Sequence, residues 1–284
     1  MKRKKNTFGW FLVPSLLGML VFYCVPFAFS LYYAVTDNSP ERQFVGLLNF
    51  ATTLSQPVFQ RAALNTAVFM GISVPLGMAI GLVVAVFLQK ITRFRPLAAI
   101  LILMPLVVPS GSIAYFWRVL FGTNGLASEV LLICGVPLET VTQMQTSMAA
   151  VVVMFLWKNV SYTVLLFWSG LNLIPKTYYE QMAIEGAGGW QQFWRVTWVY
   201  LMPTTFVVLL LSIVNSFKVF KEIYMLYGAY PGESVYMLQH YMNNQFYALN
   251  MQKLASATYI LFVSVSLLLL LVFRVQKKLT DAYN

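Results

Sequence analysis

Charge is scarce in this sequence. Only 10% of its 284 residues are Asp, Glu, Lys or Arg, while 59% are hydrophobic and the mean hydropathy is +0.70. A soluble domain carries about 25% charged residues, so this chain has too few charges to clothe a water-facing surface. The same apolar excess excludes intrinsic disorder, which needs low hydrophobicity and high charge. Cysteine is nearly absent. Cys24 and Cys134 are too few for a disulfide-stapled secreted domain and have no ligand spacing, so both read as free thiols. The one histidine, His240, stands in a polar segment without a partner motif, and a metal site needs a cluster. Metal ligands and catalytic residues are therefore not expected. Gly-Lys dipeptides are absent altogether. The P-loop needs that pair followed by Ser or Thr to cradle phosphates, so the chain is not its own ATPase by that route.

What is present is length of apolar run. Stretches of about 20 apolar residues read as membrane-spanning helices. Six occur, at roughly 8–35, 62–88, 97–120, 148–171, 201–224 and 254–273. The expected fold class is all-α integral membrane, with residues 1–284 as one transmembrane domain. The first stretch follows Lys2, Arg3, Lys4 and Lys5, as a secretory signal would. It is too long for a signal core of about 7–15 residues and holds Pro14 and Pro26, so it reads as a retained helix. Pro105 and Pro109 predict a kink in the third span.

Acid is rarer than base, nine residues against nineteen, for a formal charge of +10. In a soluble protein that would suggest nucleic acid. Here twelve basic residues fall in the termini and alternate loops on one side, and three in the loops opposite. Lys and Arg accumulate in cytoplasmic loops. Both termini are thus expected in the cytoplasm, the charge is a topology signal, and no nucleic acid is expected as a partner.

The segment Ile174–Pro203 is long for a hairpin between spans and is patterned. Tyr178, Tyr179, Met182 and Ile184 recur at helical spacing beside Glu180 and Glu185. Gly186, Gly188 and Gly189 break the pattern, and Trp190, Phe193, Trp194, Val196 and Trp198 begin a second amphipathic turn. Two readings fit these residues. One is a knob that docks into a groove on a cytosolic partner. The other is an interfacial helix pair that anchors the loop with aromatics at the headgroups.

The order Glu180, Ala183, Gly186–Ala187, Phe193, Arg195–Val196–Thr197 and Pro203 resembles the EAA loop of permease subunits in binding-protein-dependent ABC importers. Leu171–Asn172–Leu173–Ile174–Pro175 is similar to the lead-in of that loop. Phe44–Val45–Gly46–Leu47 with Asn49–Phe50, Asn65–Thr66, Trp117–Arg118, Ser216–Phe217–Lys218–Val219–Phe220 and Ala255–Ser256–Ala257 resemble the maltose-type carbohydrate branch, in order along nearly the whole chain. The chain departs from the pattern at Gln181 and Met182, where the motif has alanines, at Glu185 for Asp, and at Val199 for Pro. Tyr227–Gly228–Ala229–Tyr230–Pro231–Gly232 stands where Thr-x-Gly-Gly-Pro is usual.

The resemblance implies a type I importer permease in a bacterial cytoplasmic (inner) membrane. It implies a second similar permease subunit, two ATPase subunits that carry ATP and Mg, an extracytoplasmic solute-binding protein, a sugar substrate and surrounding lipid. No cofactor is expected on this chain. ATP-driven closure of the ATPase pair would move the docked loops together and rock the helices above. Glu180, Ala183, Glu185, Gly186 and Ala187 become the ATPase-coupling residues. Gly186 is expected at a turn where a Cβ would clash.

Polar groups within a span are costly and usually face a cavity or a partner. Lys158, Asn159 and Tyr162 in the fourth span, and Asn215, Ser216 and Lys218 in the fifth, are therefore candidates for a substrate path; glue between helices is the competing role. Lys218 and Glu222 have the four-residue spacing of a pair on one helix face. Trp117 and Arg118 read as interfacial anchors. The segment from Tyr227 to Lys253, with Glu233, His240, Asn243 and Asn244, is a candidate docking surface for the solute-binding protein. The alternative to an ABC permease is a self-contained secondary transporter driven by an ion gradient, but no repeat relates the two halves, as is common in such proteins.

Overall fold

The computed structural model describes residues 9–91, 93–121, 125–135, 137 and 147–283. The described residues are almost entirely helical and contain no named strand; an isolated antiparallel bridge joins Thr36 and Phe44. In chain order the helices used below are α1 (Gly9–Met19), α2 (Val25–Val35), α3 (Leu48–Ser55), α4 (Pro57–Lys90), α5 (Arg95–Val107), α6 (Ser110–Phe121), α7 (Leu126–Ile133), α8 (Met148–Asn172), α9 (Lys176–Ile184), α10 (Gly189–Gln192), α11 (Trp198–Phe217), α12 (Phe220–Tyr227), α13 (Leu238–Tyr247) and α14 (Met251–Tyr283).

Five helical stretches are long and apolar enough to cross a membrane: Phe11–Val35, Pro57–Lys90, Met148–Asn172, Gly189–Tyr227 and Met251–Lys278. A sixth arises if α5 and α6 are counted as one span, although they meet at 98°. The expected third span is therefore broken rather than merely kinked. Val108, between the two halves, is extended at φ −73 and ψ 124. A residue before proline is pushed out of the α region by the ring of its neighbour, and Pro109 follows it. Pro105 alone does not break α5, which runs through it. The first stretch is interrupted more gently. A π-helical turn, Leu20–Cys24, precedes Pro26, and the Val25 amide donates to the Leu20 carbonyl. Single π turns of this kind absorb local strain without ending the helix.

The chain divides into two compact units, residues 1–60 with 241–267, and residues 61–240 with 268–284. Within the first, Asn49 ties the α2 end to α3: its side-chain amide donates to the carbonyls of Ala34 (3.0 Å) and Thr36 (2.8 Å). That satisfies carbonyls left open where a helix ends. Gly46 supplies the left-handed turn, φ +58, that brings Asn49 there. The Tyr259 hydroxyl donates to the Phe27 carbonyl at 2.6 Å, and their rings meet at 4.7 Å. The outer surface of the first span remains apolar and exposed, with Phe11 at 80% and Phe22 at 76%. Such a surface suits lipid, not water.

The second unit has its core between α8 and its neighbours. Ala85, Leu88, Val164, Phe167, Leu171, Leu201 and Val208 form one buried cluster. Phe69, Ile113, Trp117, Val151, Met154, Phe155 and Ile223 form another. Gly170 allows the close approach of α11 to α8; a Cβ there would lie 2.7 Å from Thr204 Oγ1. Asn65, near the start of α4, donates to the carbonyls of Glu233 (2.7 Å) and Tyr236 (3.0 Å), while Thr66 Oγ1 accepts from the Leu238 amide (2.9 Å). The resembling Asn65–Thr66 pair thus holds the loop ahead of α13.

Candidate functional site

Between α5, α6, α8, α11 and α12 lies a cavity of about 330 Å3. Its size is at the lower end of the roughly 300–1,000 Å3 typical of ligand sites. The polar lining is Lys158, Asn159, Tyr162, Asn215, Lys218 and Glu222. Five of the six substrate-path candidates are brought together here. Ser216 is not among them. It is buried, and its hydroxyl donates to the Ile213 carbonyl of its own helix at 2.6 Å.

Glu222 pairs with Lys158, not with Lys218. Lys158 Nζ lies 2.6 Å from Glu222 Oε1 and 2.8 Å from Ser110 Oγ. The pair joins α8, α6 and α12, and the Glu222 side chain is only 6% exposed. The expected four-residue pair fails because the helix does not run through it. Helix α11 ends at Phe217, Lys218 and Val219 form a tight turn, and α12 begins at Phe220. Lys218 instead donates to Asn215 Oδ1 at 2.8 Å. Asn159 donates to the Phe155 carbonyl at 3.0 Å, leaving its carbonyl oxygen toward other partners.

Arg118 is exposed and also bonds within the protein. Its guanidinium donates to the Met225 and Leu226 carbonyls at 3.1 and 3.2 Å, capping the end of α12. Trp117 is buried in the core and packs near Phe121 and Trp157. His240 is buried as well. Its Nδ1 accepts from the Met237 amide at 3.2 Å, its ring meets Phe220 edge-on, and burial lowers its pKa to about 4. His240 and Asn244 are thus not available as docking surface, whereas Glu233 is exposed and pairs with Arg61.

A second feature is the exposed segment that begins at Pro175. Helix α9 packs by one face: Tyr179 and Met182 lie against the core, and the Tyr179 hydroxyl is 2.9 Å from Thr197 Oγ1. Glu180, Ala183 and Glu185 are exposed on the other side, with Ile184 at 87%. Gly186 ends the helix at φ +82. Its amide donates to the Ala183 carbonyl and the Ala187 amide to that of Met182, at 3.0 and 2.9 Å. These two bonds make a Schellman end, which calls for a left-handed residue. A Cβ on Gly186 would meet nothing within 4 Å, so the expected clash is absent and the requirement is the backbone angle. The second amphipathic turn is not a separate helix. After α10 it passes through a π-helical turn, Phe193–Thr197, directly into α11.

Polarity inside an apolar run is the signal for the cavity, and it misses Glu222, which reads as a local partner of Lys218. It also misses Ser110, which sits at a helix start and holds Lys158 from outside the lining.

Three comparisons bear on what these features belong to. A family described as "Binding-protein-dependent transport system inner membrane component" matches residues 73–282. The trehalose/maltose transport system permease protein MalF of Thermococcus litoralis is 32% identical over 239 residues, covering 82% of this chain and 81% of that protein. The sn-glycerol-3-phosphate transport system permease protein UgpA of Agrobacterium fabrum is 28% identical over 271 residues, covering 93% and 92%. In fold, the chain is similar to one from a bacterial alginate ABC transporter solved in complex with an alginate pentasaccharide-bound periplasmic protein. The TM-score is 0.82 at 20% identity, over 96% of this chain and 94% of that one.

Proposed function

The chain belongs to the family of inner membrane components of binding-protein-dependent transport systems, and from that premise we propose that it is one permease subunit of an ATP-driven importer, forming half of the translocation path for a sugar or sugar derivative. A separate ATPase couples to it through α9. The observation that carries this reading is the build of α9. It is a short helix packed by Tyr179 and Met182, closed by Gly186, and it presents Glu180, Ala183, Ile184 and Glu185 outward. Ile184 and, beyond the turn, Trp190 are among the most exposed large apolar groups, and they stand beside the exposed carboxylates Glu180 and Glu185. They suit a groove on a partner.

The cavity supports the cargo half of the proposal. Amides and a phenol recognise hydroxyl-rich molecules by hydrogen bonds, and the relatives are named for trehalose/maltose and sn-glycerol-3-phosphate transport. In this reading the whole chain is one multi-pass domain of a bacterial inner membrane, both termini face the cytoplasm, ATP and Mg bind the ATPase subunits, and a second permease and a solute-binding protein complete the importer.

The test is a crosslink series with a reconstituted transport assay. Cysteines at positions 180, 184 and 187 should capture the co-expressed ATPase, and a cysteine at position 179, which is partly buried and packs against the core, should not. Proteoliposomes with the full set of subunits should accumulate sugar only with ATP inside. Uptake by this chain alone, driven by an ion gradient, would establish a secondary transporter instead.

A further inference from the structure

The cavity has a sign. Among the described residues that line it, the charged groups are Lys158, Glu222 and Lys218. Lys158 and Glu222 neutralise each other at 2.6 Å, and the carboxylate is almost wholly buried. Lys218 is different. It is exposed, no carboxylate lies within ion-pair distance of it among the described residues, and its one recorded bond is to the Asn215 amide oxygen. An ammonium has three donors and no acceptor, so two remain. That bond also turns Asn215 so that its acceptor is used and its NH2 donors are left. The Tyr162 hydroxyl both donates and accepts and the Asn159 carbonyl oxygen stays open, but the free donors of the Lys218 ammonium and the Asn215 amide outnumber these acceptors. The one acidic group, Glu222, already has an oxygen engaged by Lys158.

A cavity surrounded by apolar helices strengthens such an imbalance, because charges interact more strongly in a low dielectric than in water. Neutral sugars need donors and acceptors in balance, since each hydroxyl is both. A surplus of one positive charge and several donors is matched by a ligand that carries a negative charge and acceptor oxygens. Charge-assisted hydrogen bonds from an ammonium to a carboxylate or phosphate are also the stronger kind.

We infer that the cargo admitted to this cavity is an anionic carbohydrate, with a carboxylate or phosphate ester held by Lys218 and Asn215 and its hydroxyls by Tyr162 and Asn159. This rests on the reading of the cavity as part of the cargo path. Its test does not depend on coupling to ATP.

The full chain in lipid nanodiscs is titrated with glucuronate and glucose, and with sn-glycerol 3-phosphate and glycerol, by saturation-transfer NMR. Glucuronate or the phosphate ester should bind, and its neutral counterpart should bind at least about tenfold more weakly. Preference for glucuronate assigns a carboxylate cargo; preference for the ester assigns a phosphate. Lys218→Glu should weaken the anion by about tenfold or more, and Lys218→Arg should retain it. Lys221→Glu is the control. Lys221 is exposed and does not line the cavity, so it changes net charge equally without changing the site. Equal binding of charged and neutral probes, absence of binding by both anions, or equal effects of K218E and K221E would overturn the inference. Anion binding that follows Lys218 without any crosslink to an ATPase would leave it standing and remove the importer reading. ATP-driven uptake of neutral sugar indifferent to Lys218 would do the reverse.

Discussion

At the scale of single residues, the Lys158–Glu222 pair governs the cavity wall. Two ions taken out of water are stable together only while each has its partner, and removing one leaves the other buried and uncompensated. The Lys158 ammonium would then keep only Ser110 Oγ. We expect Glu222→Ala to destabilise the protein by about 3 kcal/mol, the lower end for a buried pair because Lys158 remains partly exposed. The double variant K158M/E222L fills the same space without charge and should unfold closer to wild type than E222A does. Thermal unfolding in detergent, followed by tryptophan fluorescence, decides this; a double variant less stable than the single one would mean the ions hold the helices together by more than mutual neutralisation. The same residues show what a sequence reveals of a site. Lys158, Asn159, Tyr162, Asn215 and Lys218 could be picked out because a polar side chain in an apolar run needs a reason to be there. Ser216 could not be told from them, since a hydroxyl can bond back to its own helix. The four-residue rule gives Glu222 the wrong partner because it assumes an unbroken helix, and neither Gly nor Pro marks the turn at Lys218–Val219.

At the scale of elements, apolar length made the long helices legible, because a span must hide about 20 residues of backbone from lipid. The breaks were legible only in kind. Pro109 announces that Val108 leaves the helix, but the 98° between α5 and α6 depends on what each half packs against. Helix α9 and its glycine were visible as a broken amphipathic pattern, yet the reason for the glycine was not. Its backbone angle, rather than crowding, excludes other residues. That distinction makes a prediction. Gly186→Ala adds no collision and places an L-residue in the left-handed region, at about 1–2 kcal/mol. The strain falls on the Schellman bonds that close α9. Hydrogen exchange should therefore quicken over residues 176–187 while the rest of the chain keeps its protection, and ATPase stimulation in the assembled complex should fall. Gly188, at φ −70 and with equal open space, is the matched comparison, and Gly188→Ala should change neither. If the two variants behave alike, the left-handed closure of α9 has no part in coupling.

For the molecule as a whole, orientation ties the features together. Twelve basic residues in one set of termini and loops against three in the other are the ground on which the proposed reading places both termini in the cytoplasm, and α9 lies in a loop of the basic-rich set. Its docking role therefore stands or falls with the charge count. The two free thiols give a direct reading. Both are exposed in the structure, but Cys24 belongs to the apolar stretch Phe11–Val35 and Cys134 follows α7 in a loop that the proposed orientation puts on the outer face. A maleimide reacts with thiolate, which forms in water and not in hydrocarbon. In intact cells with the outer face accessible, a membrane-impermeant maleimide should label wild type and C24S equally and C134S hardly at all. Lys278→Cys, placed in a C24S/C134S background, should react only after the membrane is opened. Labelling of position 278 in sealed cells would put α9 on the face without ATP, and no amount of surface complementarity at Ile184 and Trp190 could then couple it to a nucleotide-driven partner.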